Sequence, residues 1–156
     1  MRVVVLGGAG FIGSRLVDTL SAAGLEVLVI DDLSTGCMGN VSGHAEMRVA
    51  SICDAGLYEI VRNWGAPDAA VILAAQTSVP RSYTQPTLDA GTNILGLINV
   101  VRTCVRMGIP HVVFSSSAAV YGQPTCLPVG ESHPTDPQSP YAISKLAGEG
   151  YLRVLS

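Results

Sequence analysis

Short apolar runs alternate along this chain with longer stretches whose apolar positions recur at helical spacing. Arg2–Leu6 is β-branched and runs into Gly7-Gly8-Ala9-Gly10. Phe11–Ala23 places Ile12, Leu16 and Leu20 on one face, and Gly24 supplies a C-terminal stop. Glu26–Ile30 is again rich in Val, Leu and Ile and ends in Asp31-Asp32, and a short strand is expected around Met47–Ala50. Asp54 is suited to cap a helix running to about Asn63. Ala69–Leu73 reads as a buried strand, Thr87–Met107 as one long helix ended by Gly108, and His111–Phe114 as a fifth strand. A Pro-rich loop from Pro124 to Pro140 leads to a last helix from Tyr141. Fully apolar strands alternating with helices predict an α/β fold whose parallel sheet is covered on both faces. Right-handed crossovers then give a doubly wound, Rossmann-like sheet with the first strand central. The switch point is expected beside the second and fourth strands. Neither an internal repeat nor an interdomain linker is visible, so residues 1–156 read as one domain.

Composition narrows the classes. The chain has 156 residues, 48% of them hydrophobic and 13% charged, with a formal net charge of −3. That length can bury a real core. The ordinary apolar share marks a folded chain, even though charge is about half its usual share of about 25%. A mildly acidic total offers no electrostatic reason to expect nucleic acid or an anionic membrane as partner. No apolar stretch approaches the ~20 residues of a membrane span. Met1–Leu6 meets the glycines with no signal-peptide cleavage region behind it. Cys37, Cys53, Cys104 and Cys126 form no C-x-x-C pair, and a cytoplasmic protein with reduced thiols is expected. His44, His111 and His133 are too dispersed for metal ligation, so no metal is expected. Eight of the nine basic residues are arginine, and the only lysine is Lys145.

Two groups of residues carry candidate chemistry. Gly7, Gly8, Gly10 and Gly13 satisfy both G-x-G-x-x-G and G-x-x-G-x-x-G between an expected strand and an expected helix. Gly10 lets backbone approach a pyrophosphate, Gly13 lets the helix lie close to the sheet, and the helix-start amides face the phosphate charge. Asp31, at the end of the second strand, can accept from both hydroxyls of an adenosine ribose and would repel a 2′-phosphate, so NAD is expected over NADP. In the second group, Tyr141 and Lys145 are four apart on the last helix and share a face. Ser115-Ser116-Ser117 follow the fifth strand at its carboxyl end, where ligands of doubly wound sheets sit. A phenol ordinarily ionises near pH 10. An adjacent ammonium and a positive nicotinamide ring both push toward the phenolate. Taken alone, a Tyr-x-x-x-Lys pair also fits a solvated helix face. The glycine loop, the serine run and the single lysine favour the chemical reading.

Six segments in order match one family: Gly7–Gly13, Asp31–Gly36, Leu73–Gln76, Asn93–Gly96, Ser115–Gly122 and Ser139–Lys145. The chain resembles the extended short-chain dehydrogenases/reductases, and within them the UDP-glucose 4-epimerases and related NAD-dependent nucleotide-sugar epimerases. The resemblance covers essentially all 156 residues. It implies a hydride cycle on a bound nucleotide sugar. Tyr141 would take the proton of the sugar 4-hydroxyl while hydride passes from carbon 4 to NAD. The 4-keto sugar would turn over and recover hydride on its other face. Lys145 would bind the nicotinamide ribose and make Tyr141 more acidic, and Ser117 would relay or orient the proton. Position matching further implies cofactor contacts from Gly7, Gly10, Phe11, Ile12, Gly13, Asp31, Asp32, Leu33, Ser34, Thr35 and Gly36. The same matching adds Ser51, Ile52, Leu73, Ala74, Ala75, Gln76, Asn93 and Ser115. It also implies pairing into a homodimer through the two long helices.

Departures from the family pattern sharpen this reading. Sugar 4,6-dehydratases carry an acidic pair beside the Ser/Thr, where this chain has Ala118 and Ala119, so epimerisation or simple redox chemistry is favoured over dehydration. The usual Asp for the adenine amino group is Ser51, and a common His before the Leu-Ala-Ala-Gln segment is Ile72. Family members continue past the last helix into a region that grips the nucleotide and sugar, which is absent from these residues. The fifth strand is therefore expected to be a bare sheet edge. Three expectations stand: a nucleotide-sugar epimerase, an NAD-binding module without its own turnover, and a dehydrogenase or reductase with net NADH production.

Overall fold

The structure, a computed structural model, describes residues 1–41 and 43–155. Among the described residues, five parallel strands form one sheet in the order β3-β2-β1-β4-β5. They are β1 (Arg2–Leu6), β2 (Glu26–Asp31), β3 (Glu46–Val49), β4 (Ala69–Ile72) and β5 (His111–Phe114). As expected, β1 is central with β2 and β4 at its sides, and the order of strands reverses between β1 and β4, which makes that crevice the switch point. Register aligns Val4 with Leu28 and Ala70, and Leu6 with Ile30 and Ile72, on one face. Period-two alternation puts Val3, Val5, Val27 and Val29 on the other.

Each face is buried by helices. Helix α1 (Phe11–Ala22) closes over Val3, Val5, Val27 and Val29 through the fully buried Val17. Helices α2 (Leu57–Trp64) and α5 (Leu97–Met107) close the opposite face, where Leu6, Leu28, Ile30, Leu57, Leu97 and Val100 are each 0–1% exposed. Helix α6 (Pro140–Leu155) packs alongside α5. Strand β5 is an edge of the sheet, and Val113 on it is 58% exposed.

Several boundaries differ from the periodicity. The stretch expected as one helix over Thr87–Met107 is α4 (Pro86–Ala90), a π-turn (Gly91–Gly96) and α5. Glycines bracket the wider turn, and at Gly96 a Cβ would meet Ile52 Cδ1 at 2.9 Å, so the backbone there lies directly on the loop after β3. A short helix, α3 (Val79–Thr84), precedes it unannounced, with Ser78 Oγ accepting from the Arg81 amide at 3.3 Å. Asp54 does not cap α2. Gly56 holds that position, and the Asp54 carboxylate turns back to accept from the Ser51 amide at 2.8 Å. Gly24 (φ +78) and Gly108 (φ +68) take the left-handed conformation that ends α1 and α5.

Candidate cofactor and catalytic site

The glycine loop leaves β1 and enters α1 in a shape that side chains would block. A Cβ at Gly7 (φ +86) would lie 2.5 Å from the Ala74 amide nitrogen, and one at Gly13 would lie 2.1 Å from Gly7 O. At Gly10, the N-cap of α1, a Cβ would meet only Gly7 O, at 3.5 Å. The first two glycines therefore close the strand–helix turn, and the third leaves backbone open to a ligand. Open helix-start amides favour an anion such as a pyrophosphate. A cavity of about 370 Å³ borders this turn, lined by Gly10, Phe11, Ser14, Thr35 and Asn40 among others. Phe11, which lines it, stands 86% exposed, and the neighbouring Ile12 is 65% exposed.

The end of β2 braces the loop. Asp31 is buried, and its Oδ2 accepts from the Ala9 amide while Oδ1 accepts from the Leu33 amide, both at 2.9 Å. Each oxygen keeps a further lone pair for a ribose hydroxyl. Leu33 takes φ +59 to make this turn, and Asp32 Oδ1 accepts from the Ser34 amide at 2.9 Å. Gly36 lies so close that a Cβ would meet Asp31 Oδ1 at 3.0 Å. Asn40 Nδ2 and the Cys37 amide both donate to Ala9 O, at 3.0 and 3.1 Å. Nothing in the local sequence marks Asn40, whose partner is 31 residues away. These residues fit a dinucleotide: an open phosphate turn with a buried carboxylate at the end of the neighbouring strand β2.

Sequence segments after β3, β4 and β5 complete the rim. Ser51 Oγ accepts from the Cys53 amide at 3.2 Å, and Ile52, 4% exposed, is a core residue beneath the π-turn. The Leu73 and Ala74 amides both donate to Leu6 O, at 2.8 and 2.9 Å, which presses Leu73–Ala75 against the glycine loop. Gln76 and Asn93 are buried and face each other: the Gln76 amide donates to Asn93 Oδ1 at 2.8 Å. Their side chains are thus occupied within the protein.

Each serine after β5 has a different task. The Ser115 amide extends the ladder to Ile72 O at 3.1 Å. Ser116 Oγ donates to Glu149 Oε1 of α6. Ser117 caps a 3-10 turn (Ala118–Tyr121) by accepting from the Ala119 amide at 3.2 Å, which does not use its own O–H. That turn packs against α6. Helix α6 starts one residue earlier than expected: Pro140 is its first residue, and Ser139 Oγ accepts from the Ala142 amide at 3.1 Å. This cap aligns Tyr141, half-buried, and Lys145, 3% exposed, along one face.

Lys145 is the most perturbed of these groups. Burial pulls its amine down to about 8 from 10.5, and the negative charge of Asp89 opposes the shift. Its Nζ stands 4.4 Å from the centre of the Phe114 ring. An amine so placed is a poised, partly desolvated cation at the carboxyl end of the sheet. Asp89 was not singled out from the sequence, although it lies four residues before Asn93, one helical turn away.

This arrangement has known counterparts. Residues 3–156 match the model of the NAD dependent epimerase/dehydratase family. The chain is 42% identical over 160 residues to the UDP-glucose 4-epimerase of Mycolicibacterium smegmatis, covering 99% of this chain and 51% of that protein. The UDP-glucose 4-epimerase of Thermus thermophilus, solved with NAD, superposes with a TM-score of 0.94 at 42% identity, over 99% of this chain and 50% of that one. The Thermotoga maritima UDP-glucose 4-epimerase, solved with UDP-glucose, gives 0.95 at 37%, over 99% and 51%. The chain thus spans about half the length of the relatives it matches. With the family model matched from β1 through α6, the chain belongs to the NAD dependent epimerase/dehydratase family.

Proposed function

We propose that this chain binds NAD and provides the proton-transferring residues of a nucleotide-sugar 4-epimerase of the UDP-glucose/UDP-galactose type. The observation that carries the reading is the arrangement at the carboxyl edge of the sheet. There the open glycine turn, the buried Asp31, the Ser117 turn and the Tyr141/Lys145 face of α6 follow β1, β2 and β5. The helix-start amides hold the pyrophosphate, and Asp31 takes the adenosine ribose hydroxyls. Of the other predicted contact residues, Asp32–Gly36, Ser51, Leu73–Ala75 and Ser115 shape the rim, while Ile52, Gln76 and Asn93 support it from beneath. NAD, when bound, supplies a reversible hydride acceptor. Tyr141 removes the proton of the sugar 4-hydroxyl, and Ser117 donates its O–H to the same oxygen. Lys145 holds the nicotinamide ribose and favours the phenolate. After the sugar turns, Tyr141 returns the proton, so both faces of carbon 4 are served by one acid–base pair. Ala118 and Ala119 offer no carboxyl group for eliminating water.

Incubation of the purified chain with NAD and UDP-galactose is expected to yield UDP-glucose with no lasting rise in NADH absorbance. A lasting rise would indicate a dehydrogenase. The exposed β5 edge favours a second reading, an NAD-binding module that needs further polypeptide for turnover. Calorimetric NAD binding without any UDP-glucose would select it, and absence of NAD binding would sink both. We also propose that copies pair through α6 and the stretch from α4 through the π-turn to α5, where Leu95 of the π-turn and Ile143, Tyr151 and Val154 of α6 are exposed.

A further inference from the structure

The layer between α4, the π-turn and α6 is polar, and it is nearly dry. Gln76, Asp89, Asn93, Ser144 and Lys145 are 8%, 1%, 3%, 2% and 3% exposed. Their hydrogen bonds form one connected set. Asp89 Oδ1 accepts from Gln76 Nε2 at 2.8 Å and from Asn93 Nδ2 at 3.1 Å. Asn93 Nδ2 also lies 3.1 Å from Ser144 Oγ and 2.9 Å from Gln76 O. Ser144 in turn donates to Tyr141 O at 2.8 Å and immediately precedes Lys145. The set therefore runs from a carboxylate on α4 to the two helical turns that carry the phenol and the amine.

Two ionisable side chains in this layer are nearly sealed from water, and they bear opposite charges. A lone buried carboxylate or ammonium is strongly disfavoured, whereas a hydrogen-bonded carboxylate near a cation is tolerated. Other charged or titratable groups are arranged less favourably. On α6 itself, Tyr141 and Glu149 flank Lys145, and Glu149 is exposed and engaged by Ser116. Helix α3 carries Arg81 and Tyr83, both exposed, with Arg81 Nε on Gln85 Oε1 and Tyr83 Oη on Gln138 O. Helix α5 carries the exposed Arg102 and Arg106, the latter stacked on Tyr58, and the 3-10 turn after β5 carries Tyr121. Of the charged groups named, Asp89 alone is buried in the same layer as Lys145, and its negative charge favours the ammonium.

We propose that Asp89 is a positioning residue of the reaction: its carboxylate fixes the Gln76 and Asn93 amides and supplies the buried countercharge that keeps the Lys145 side chain an ammonium at the nicotinamide end of the site. The proposal rests on the role given to Lys145 above, but it is tested without the cofactor. Because the chain has a single lysine, protein labelled with 15N-lysine gives one side-chain resonance, whose pH titration needs no assignment. In the unaltered chain the midpoint is expected at about 8. Asp89→Asn, which keeps the shape and loses the charge, is expected to lower it by roughly one pH unit, and Asp89→Glu to leave it near the original value. Asp89→Ser serves as a second neutral variant if the amide is not tolerated, with circular dichroism confirming the fold in each case. NAD affinity, read by calorimetry at pH 8, is expected to fall several-fold in the neutral variants and to be retained in Asp89→Glu. A folded neutral variant with an unchanged lysine midpoint overturns the proposal and leaves the epimerase reading intact. An unaltered chain that titrates as expected but binds no NAD overturns the epimerase reading instead.

Discussion

Gly10 and Gly13 belong to the same short motif and do different work. Gly13 sits where a methyl group would strike Gly7 O at 2.1 Å and Gly8 Cα at 2.7 Å, so Gly13→Ala is expected to cost about 2 kcal/mol of stability or more. At Gly10 the same change meets nothing nearer than 3.5 Å, and stability should be nearly unchanged while NAD affinity drops. Urea unfolding alongside calorimetry separates the two, and equal stability losses would contradict this division. Lys145 makes a second residue-scale prediction. Unfolded, its amine holds a proton up to about 10.5; folded, it releases it at about 8. Between those values the unfolded chain binds more protons, so this group makes stability rise with pH. Its burial penalty, fully present below pH 8, amounts to roughly 3 kcal/mol and is gone above 10.5. Relative to Lys145→Met, the unaltered chain should therefore gain roughly that much between pH 7 and 10.5. Parallel stability profiles for the two proteins would rule the assignment out.

At the scale of elements, α6 matters because one helix carries both Tyr141 and Lys145, so its seat on α5 and β5 sets where they point. That seat is Gly148: a Cβ there would lie 2.7 Å from Leu97 Cδ2 and 2.9 Å from the Phe114 ring. Phe114 is also the ring beneath Lys145 Nζ. Gly148→Ala should lower stability by about 1–3 kcal/mol and displace the lysine titration. Gly150, two residues on, has nothing within 4 Å, and Gly150→Ala should stabilise α6 by up to about 1 kcal/mol. Thermal unfolding of the pair tests the claim, and the same sign for both would defeat it. The break of the long helix into α4, π-turn and α5 belongs here too. It allows Asp89, Asn93 and Gly96 to face α6 and the core, and the glycines at 91 and 96 that bracket it are passed over by periodicity alone.

For the molecule as a whole, helices cover both faces of the sheet, and β5 leaves an edge on which Val113 stands exposed. The expected oligomer is a pair formed through α4–α6, and analytical ultracentrifugation should show the mass of two chains. Leu95→Glu, at a position 66% exposed, should return single chains, and Val113→Lys on the β5 strand should not. The reverse result would locate the contact at the open sheet edge instead.

Local pattern was sufficient for the five strands and their parallel order, for α1, α2 and α6, and for the turn glycines, the Asp31 position and the Tyr141/Lys145 spacing, because each depends on residues within a few turns or on the handedness of crossovers; it missed α3 and the break of the long helix. Tertiary structure alone decided what those groups touch. Asp54 turned from the helix to Ser51, Ile52 went into the core, and Gln76 and Asn93 spent their side chains on each other and on Asp89. Burial and charge compensation are sums over residues far apart in the chain. Lys145 and Asp89 are 56 positions apart in sequence, and no periodicity encodes that one lowers the cost of burying the other.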